Sequence, residues 1–182
     1  MKIFQKNLMA SEDIQSLLGT GVFYDGEGEL AEIHDGAAVV VGDIEAHSVY
    51  TGLKDVNVRK ITAPTAATDV VAVVDYVNRS EGEIMGNIYR EGYQTAGLVA
   101  PAGKQVRYRI LKKHDSFYLG TDNFVGAPAV GKYAIPTANS TAWTITESAA
   151  KEGVCLKIET TKKLTEGAVD TDTLYFCTVV VA

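Results

Sequence analysis

The sequence predicts a mainly β fold, a single barrel- or sandwich-like domain with a short N-terminal helix or arm. Three observations predict it. Apolar runs of about four to eight residues, rich in Val, Tyr, Ile and Thr, recur along the chain. Gly, Pro and Asp punctuate these runs at short spacing, as in barrels and sandwiches. Helical periodicity is scarce after residue 20.

Residues 1–10 carry no clear periodicity. Ser11 reads as a helix N-cap, with Glu12 and Asp13 in the first turn. Ile14, Leu17 and Leu18 recur on one helical face, and Gly19 and Gly21 can stop the helix. A helix of about two turns is unstable alone in water, so it must dock, on its own domain or on a neighbouring subunit. The expected organisation is an arm and helix over 1–20 and a β-rich domain over 21–182.

The strand signals begin at Gly21. Ala37 to Val41 is an apolar run between Gly36 and Gly42. Val56, Val58 and Ile61 lie among polar residues, and Val70 to Val77 follows Pro64 and Thr68-Asp69. Residues 78–105 hold few apolar stretches and the glycines Gly82, Gly86, Gly92, Gly97 and Gly103, and read as a protruding hairpin or loop. Val106, Tyr108 and Ile110 alternate with Arg107 and Arg109. Phe117 to Leu119 precedes Gly120, and Tyr133 to Ile135 sits between Gly131 and Pro136. Thr144 to Lys151 could form one helical turn ended by Gly153. Val154, Leu156 and Ile158 alternate with Cys155, Lys157 and Glu159, and Leu174 to Val181 closes the chain. Val73, Tyr108, Ile110, Ile158 and Val179 are expected in the core.

Cys155 and Cys177 are equidistant from Glu166, and the intervening turn signals make the segment a hairpin. In that register the cysteines could be cross-strand neighbours. Two cysteines make no disulfide scaffold and have no zinc spacing, so reduced, small apolar side chains are expected.

Composition bounds function. A net charge of −6 disfavours nucleic acid and anionic membrane surfaces as partners. No apolar run approaches the roughly 20 residues of a spanning helix, and the first residues lack the apolar core of a secretory signal. Synthesis in a reducing cytosol is the expectation, and the sequons at Asn78 and Asn139 are read as chance.

The sequence carries no recognisable catalytic constellation. His34-Asp35 and His114-Asp115 are sequence neighbours, and on a strand such pairs face opposite ways. His47 has no recognisable partner, and no nucleophile elbow or phosphate-binding fingerprint is present. The tract Asp25-Gly26-Glu27-Gly28-Glu29 lacks calcium-loop spacing and reads as a solvated hairpin tip. The expectation is a non-enzyme with no cofactor and no metal. Arg107, Arg109, Lys112, Lys113 and His114 form one basic cluster: a solvated strand face, or a patch that meets an acidic protein surface. Tyr89 and Tyr93, in the weakly apolar stretch, are further candidates for partner contact.

From Gly36 to Ala182 the chain resembles the head-decoration (capsid cement) proteins of tailed bacteriophages. The resemblance is carried by G-A-A-V-V-V-G-D-I at 36–44, D-V-N-V-R-K-I-T-A-P at 55–64 and V-V-D-Y-V at 73–77. P-A-G-K-Q-V-R-Y-R at 101–109 and F-V-G-A-P-A-V-G-K-Y-A-I-P at 124–136 complete it. It implies a β-rich virion protein that binds the major capsid protein of an assembled shell, often as a trimer, on the capsid exterior. The family has no catalytic residues to carry over, and the N-terminal helix lies outside the match. The alternative is a tail- or fibre-associated β module that binds a host-surface glycan or protein.

Overall fold

The computed structural model describes residues 18–44, 58–77, 99–166 and 169–182. Seven strands occupy the first half: β1 (Leu18–Tyr24), β2 (Ile33–His34), β3 (Ala38–Ile44), β4 (Val58–Thr62), β5 (Ala72–Val77), β6 (Val99–Ala100) and β7 (Val106–Ile110). Six follow: β8 (Ser116–Gly120), β9 (Phe124–Val125), β10 (Tyr133–Pro136), β11 (Trp143–Thr146), β12 (Cys155–Glu166) and β13 (Val169–Val181). The one helix among the described residues is a 3-10 turn, Thr121–Asn123.

The strands form two layers. β1, β4, β3, β5 and β7 close a barrel in that order, with β1 and β4 parallel. The order β8-β13-β12-β10-β11-β9 makes a six-stranded sheet, and β2 pairs with β6 as a small separate ladder. The fold is thus mainly β, and the barrel and sandwich readings both apply, because one face of the barrel packs on the sheet.

Two cores follow from that arrangement. Inside the barrel lie Phe23, Val39, Ile61, Ala72, Val74, Val106 and Tyr108, with Ile33, Ala37 and Ala100 beside them. Between barrel and sheet lie Ala38, Val71, Val73 and Leu111, packed on Phe117, Leu119, Trp143, Leu156, Ile158, Cys177 and Val179. Successive side chains of a strand point to opposite faces. Ala38 therefore serves one core and Val39 the other, and Val73 and Val74 divide the same way. A strand buried on both faces needs no polar positions, which is why 37–41 and 71–74 are unbroken apolar runs.

Several expectations are corrected. Leu18, the expected end of a helix, opens β1, and Gly19 and Gly21 lie within that strand. The reason is steric. A Cβ built at Gly19 would collide with the Tyr108 ring, and one at Gly21 would lie 2.7 Å from Ile61 Cγ2. These glycines leave room for barrel-filling side chains. The rest of the expected helix, from Ser11 to Leu17, lies outside the described residues. Residues 144–151 form no helical turn: they continue β11 and then bend. Within the expected loop over 78–105, Val99–Ala100 form β6, while 78–98 lie outside the described residues.

The hairpin of β12 and β13 is present, but Cys155 pairs with Val181 and Cys177 with Ile158. Its turn falls after Glu166, and bulges shift the ladder, so the cysteines are not cross-strand neighbours. Both are free and buried. Val73, Tyr108, Ile158 and Val179 are core as expected, but Ile110 is 39% exposed. It ends its strand, and Leu111 takes the buried position beside it.

Candidate functional site

The basic segment grows out of β7. Val106 and Tyr108 point into the barrel, so Arg107 and Arg109 lie on its outer face, as alternation requires. The structure then separates the two arginines. Arg109 reaches Asp75 on neighbouring β5, with Nε at 3.3 Å and Nη2 at 3.0 Å from the same Oδ2. Both side chains of this pair are about one-eighth exposed (13% and 12%). Arg109 is thereby part of the β5–β7 framework. Arg107 is exposed.

Lys112 and Lys113 occupy the turn from β7 to β8. Asp115, only 3% exposed, closes it: its Oδ2 accepts the Lys112 N–H at 2.9 Å, and its own N–H donates to the Lys112 carbonyl at 3.0 Å. His114 takes a positive φ of 75° at the turn, and its N–H donates to Val179 O at 2.8 Å. The turn is therefore pinned to β13 and holds both lysines exposed at its tip. Five residues of chain separate Arg107 from Lys112, about 16 Å along an extended strand. The cluster read from sequence thus resolves into Arg107 on the barrel wall and Lys112 and Lys113 at the barrel end.

The same barrel end carries apolar groups that sequence reading missed as surface. Ile110 pairs with Ala72 where β5 begins, and Val70, two residues earlier, is 71% exposed. The adjacent Ile110-Leu111 pair held the signal: on an extended chain only one of two neighbours can face a given core. Tyr89 and Tyr93 lie outside the described residues, as does His47.

The remaining candidates settle into structural roles. Asp25 Oδ1 accepts the N–H groups of Glu27 and Glu29 at 2.9 and 3.0 Å, and Gly28 takes a φ of 85° in this turn. His34 is exposed on β2, while Asp35 is buried in the turn that follows. Asp69 Oδ2 accepts the N–H groups of Ala66 (3.0 Å) and Thr65 (2.7 Å) and the Thr65 hydroxyl (3.0 Å). These bonds, the backbone ones foremost, hold its carboxyl below the ordinary aspartate value. Burial pushes the Cys177 thiol up, and does the same to Cys155 against a backbone hydrogen bond from Ala150. Among the described residues no three His, Cys, Asp or Glu side chains group to hold a metal ion, and no helix is long and apolar enough to cross a membrane.

Comparison with protein-family models, curated proteins and solved structures finds no match to this chain.

Proposed function

We propose that this protein is a virion component that decorates and stabilises a tailed-phage head. It binds the major capsid protein of the assembled shell from outside, as a homo-oligomer, most simply a trimer, after synthesis in the host cytoplasm. It acts by binding and not by catalysis. The observation that carries the reading is the barrel end, where exposed Lys112 and Lys113 accompany exposed Ile110 and Val70, with exposed Arg107 on the adjoining barrel wall. Apolar contact rimmed by Arg and Lys suits an acidic protein surface. Small interfaces of this kind add through avidity across a repeating lattice.

The alternative, a tail- or fibre-associated module for a host glycan or protein, is less favoured on one point. Aromatic stacking on sugars needs an exposed ring. The single tryptophan, Trp143, is fully buried and donates its Nε1 hydrogen to Gly36 O.

A capsid-pelleting assay tests the reading. The folded triple variant Arg107→Glu, Lys112→Glu, Lys113→Glu should bind capsids more weakly than the parent, and added salt should weaken the parent likewise. Unchanged binding would remove the barrel end from the interface. A parent that binds no capsid but does bind host cells or glycans would favour the alternative. Arg109 is left intact because its loss would strand Asp75.

A further inference from the structure

The six-stranded sheet ends on one side at β9, which is two residues long and runs into Gly126 and Pro128. It ends on the other side at β8, a run of five residues, Ser116-Phe117-Tyr118-Leu119-Gly120, with no charge and no proline. Sheets blunt their edges with short strands, prolines, lysines or bulges. β9 is blunted by its length. β8 carries none of these devices, and its ladder with β13 runs from Ser116 to Gly120 without a register shift.

The register fixes which backbone groups line the β8 edge. Val179 turns both backbone groups toward β8: its N–H donates to Asp115 O and its carbonyl accepts from His114 N–H, each at 2.8 Å. Cys177, two residues earlier, faces the same way, so Phe117 opposite it directs its backbone to β13. Ile158 agrees from the other side. It stands opposite Cys177 on β12, yet its N–H and carbonyl bond to Lys132 O and Gly131 N–H. Ser116 and Tyr118 alternate with Phe117, so their N–H and C=O groups point out of the sheet edge. Their side chains stay over the sheet: Ser116 Oγ lies 3.2 Å from Thr178 Oγ1, and the Tyr118 ring centre lies 5.0 Å from that of Phe176. Among the described residues no strand pairs with this edge. Gly120 is buried, so the open part runs from Ser116 to Tyr118.

We propose that β8 pairs with β8 of a second copy of this chain, antiparallel, about a two-fold axis at Phe117. Ser116 of each copy then stands opposite Tyr118 of the other, and each such pair exchanges two backbone hydrogen bonds. The flanking charges match this direction. Lys112 and Lys113 precede β8, Asp122 follows it, and all three are exposed. Antiparallel pairing brings the start of one strand to the end of the other, so the lysines of each copy approach the aspartate of the other. Parallel pairing would set like charges together. The contact is isologous and closes at two copies. It needs no capsid and goes beyond the function proposed above; a two-fold pair in solution also differs in mass from a trimer.

Sedimentation velocity and site-resolved amide exchange of the full chain, without capsids, test it. The parent should dimerise as its concentration rises, and the Ser116 and Tyr118 amides should exchange more slowly as it does. Tyr118→Pro removes an N–H that β13 does not use, a position where an edge strand accepts proline. The folded variant should dimerise about tenfold or more weakly. A parent that stays monomeric overturns the proposal, as does a folded Tyr118→Pro that dimerises like the parent. If that variant does not fold, the amides of the parent decide. An oligomer of any size whose Ser116 and Tyr118 amides exchange as fast as in the monomer overturns β8 pairing. A dimer with both amides protected that binds no capsid leaves this proposal standing and removes only the capsid reading.

Discussion

Trp143 Nε1 donates a buried 3.0 Å hydrogen bond to the carbonyl oxygen of Gly36, a residue 107 positions away in the chain. Trp143 belongs to the sheet and Gly36 to the turn that feeds β3 of the barrel, so the bond ties the layers together. The turn is held from other sides as well. Gly36 N–H donates to Val74 O at 2.9 Å and Ala38 N–H to Thr141 O at 2.8 Å. With its amide oriented to donate, Asn123 Nδ2 lies 3.1 Å from Gly36 O and 3.0 Å from Asp35 O. Gly36 has a φ of 92°, and a Cβ there would collide with Asn123. Trp143→Phe should cost about 1–3 kcal/mol for the lost bond, with further loss from the smaller ring. Gly36→Ala should cost about 1–3 kcal/mol through backbone strain, plus the steric cost of the collision. Urea unfolding measures both.

Gly19 sits opposite Tyr108 on neighbouring strands, and the tyrosine ring occupies the space a Gly19 side chain would need. Gly19→Ala is expected to destabilise by about 1–3 kcal/mol through overpacking. Pairing it with Tyr108→Val should cost less than the two single changes added together, because the smaller residue vacates the space. A double-mutant cycle reads that coupling, and strict additivity would refute the contact.

Val73 is completely buried between barrel and sheet, beside Ala38. Val73→Asp should destabilise by several kcal/mol, on the order of the cost of an unpaired buried charge. An unchanged melting temperature would refute the placement.

The thiols of Cys155 and Cys177 and the phenol of Tyr108 are all pushed up by burial. In each case the folded protein holds its proton after the unfolded chain has lost it. That contribution is whole below the ordinary thiol value, about 8.5, and is lost as pH rises above it, with tyrosine following near 10. Stability should therefore fall between pH 7 and pH 10, and less steeply in Cys177→Ala. Neither cysteine should react with a thiol reagent in the folded protein at pH 7, and both should react after unfolding. A thiol that labels in the native state would contradict its burial.

How much of this was legible in the sequence depends on the range of the forces involved. Alternation along one strand is local, so the inward Val106 and Tyr108 and the outward Arg107 and Arg109 could be read directly from residue order. The same rule marked Leu156 and Ile158, and the turn signals marked the hairpin that follows. Dense Gly and Pro punctuation between β-branched runs was enough to establish a mainly β chain.

Pairing between distant segments is not written in any local pattern. A later turn, with three register shifts along the ladder, sets the pairing that parts Cys155 from Cys177. Closure of the barrel gave Gly19 and Gly21 their meaning, because only the approach of Tyr108 and Ile61 from other strands explains why no side chain fits there. Asp75 lies 34 residues before Arg109, and their bond alone took that arginine out of the exposed basic group. Residue order by itself determined which faces of a strand are apolar. The tertiary structure decided what each face meets, because burial and charge pairing depend on neighbours that only folding brings together.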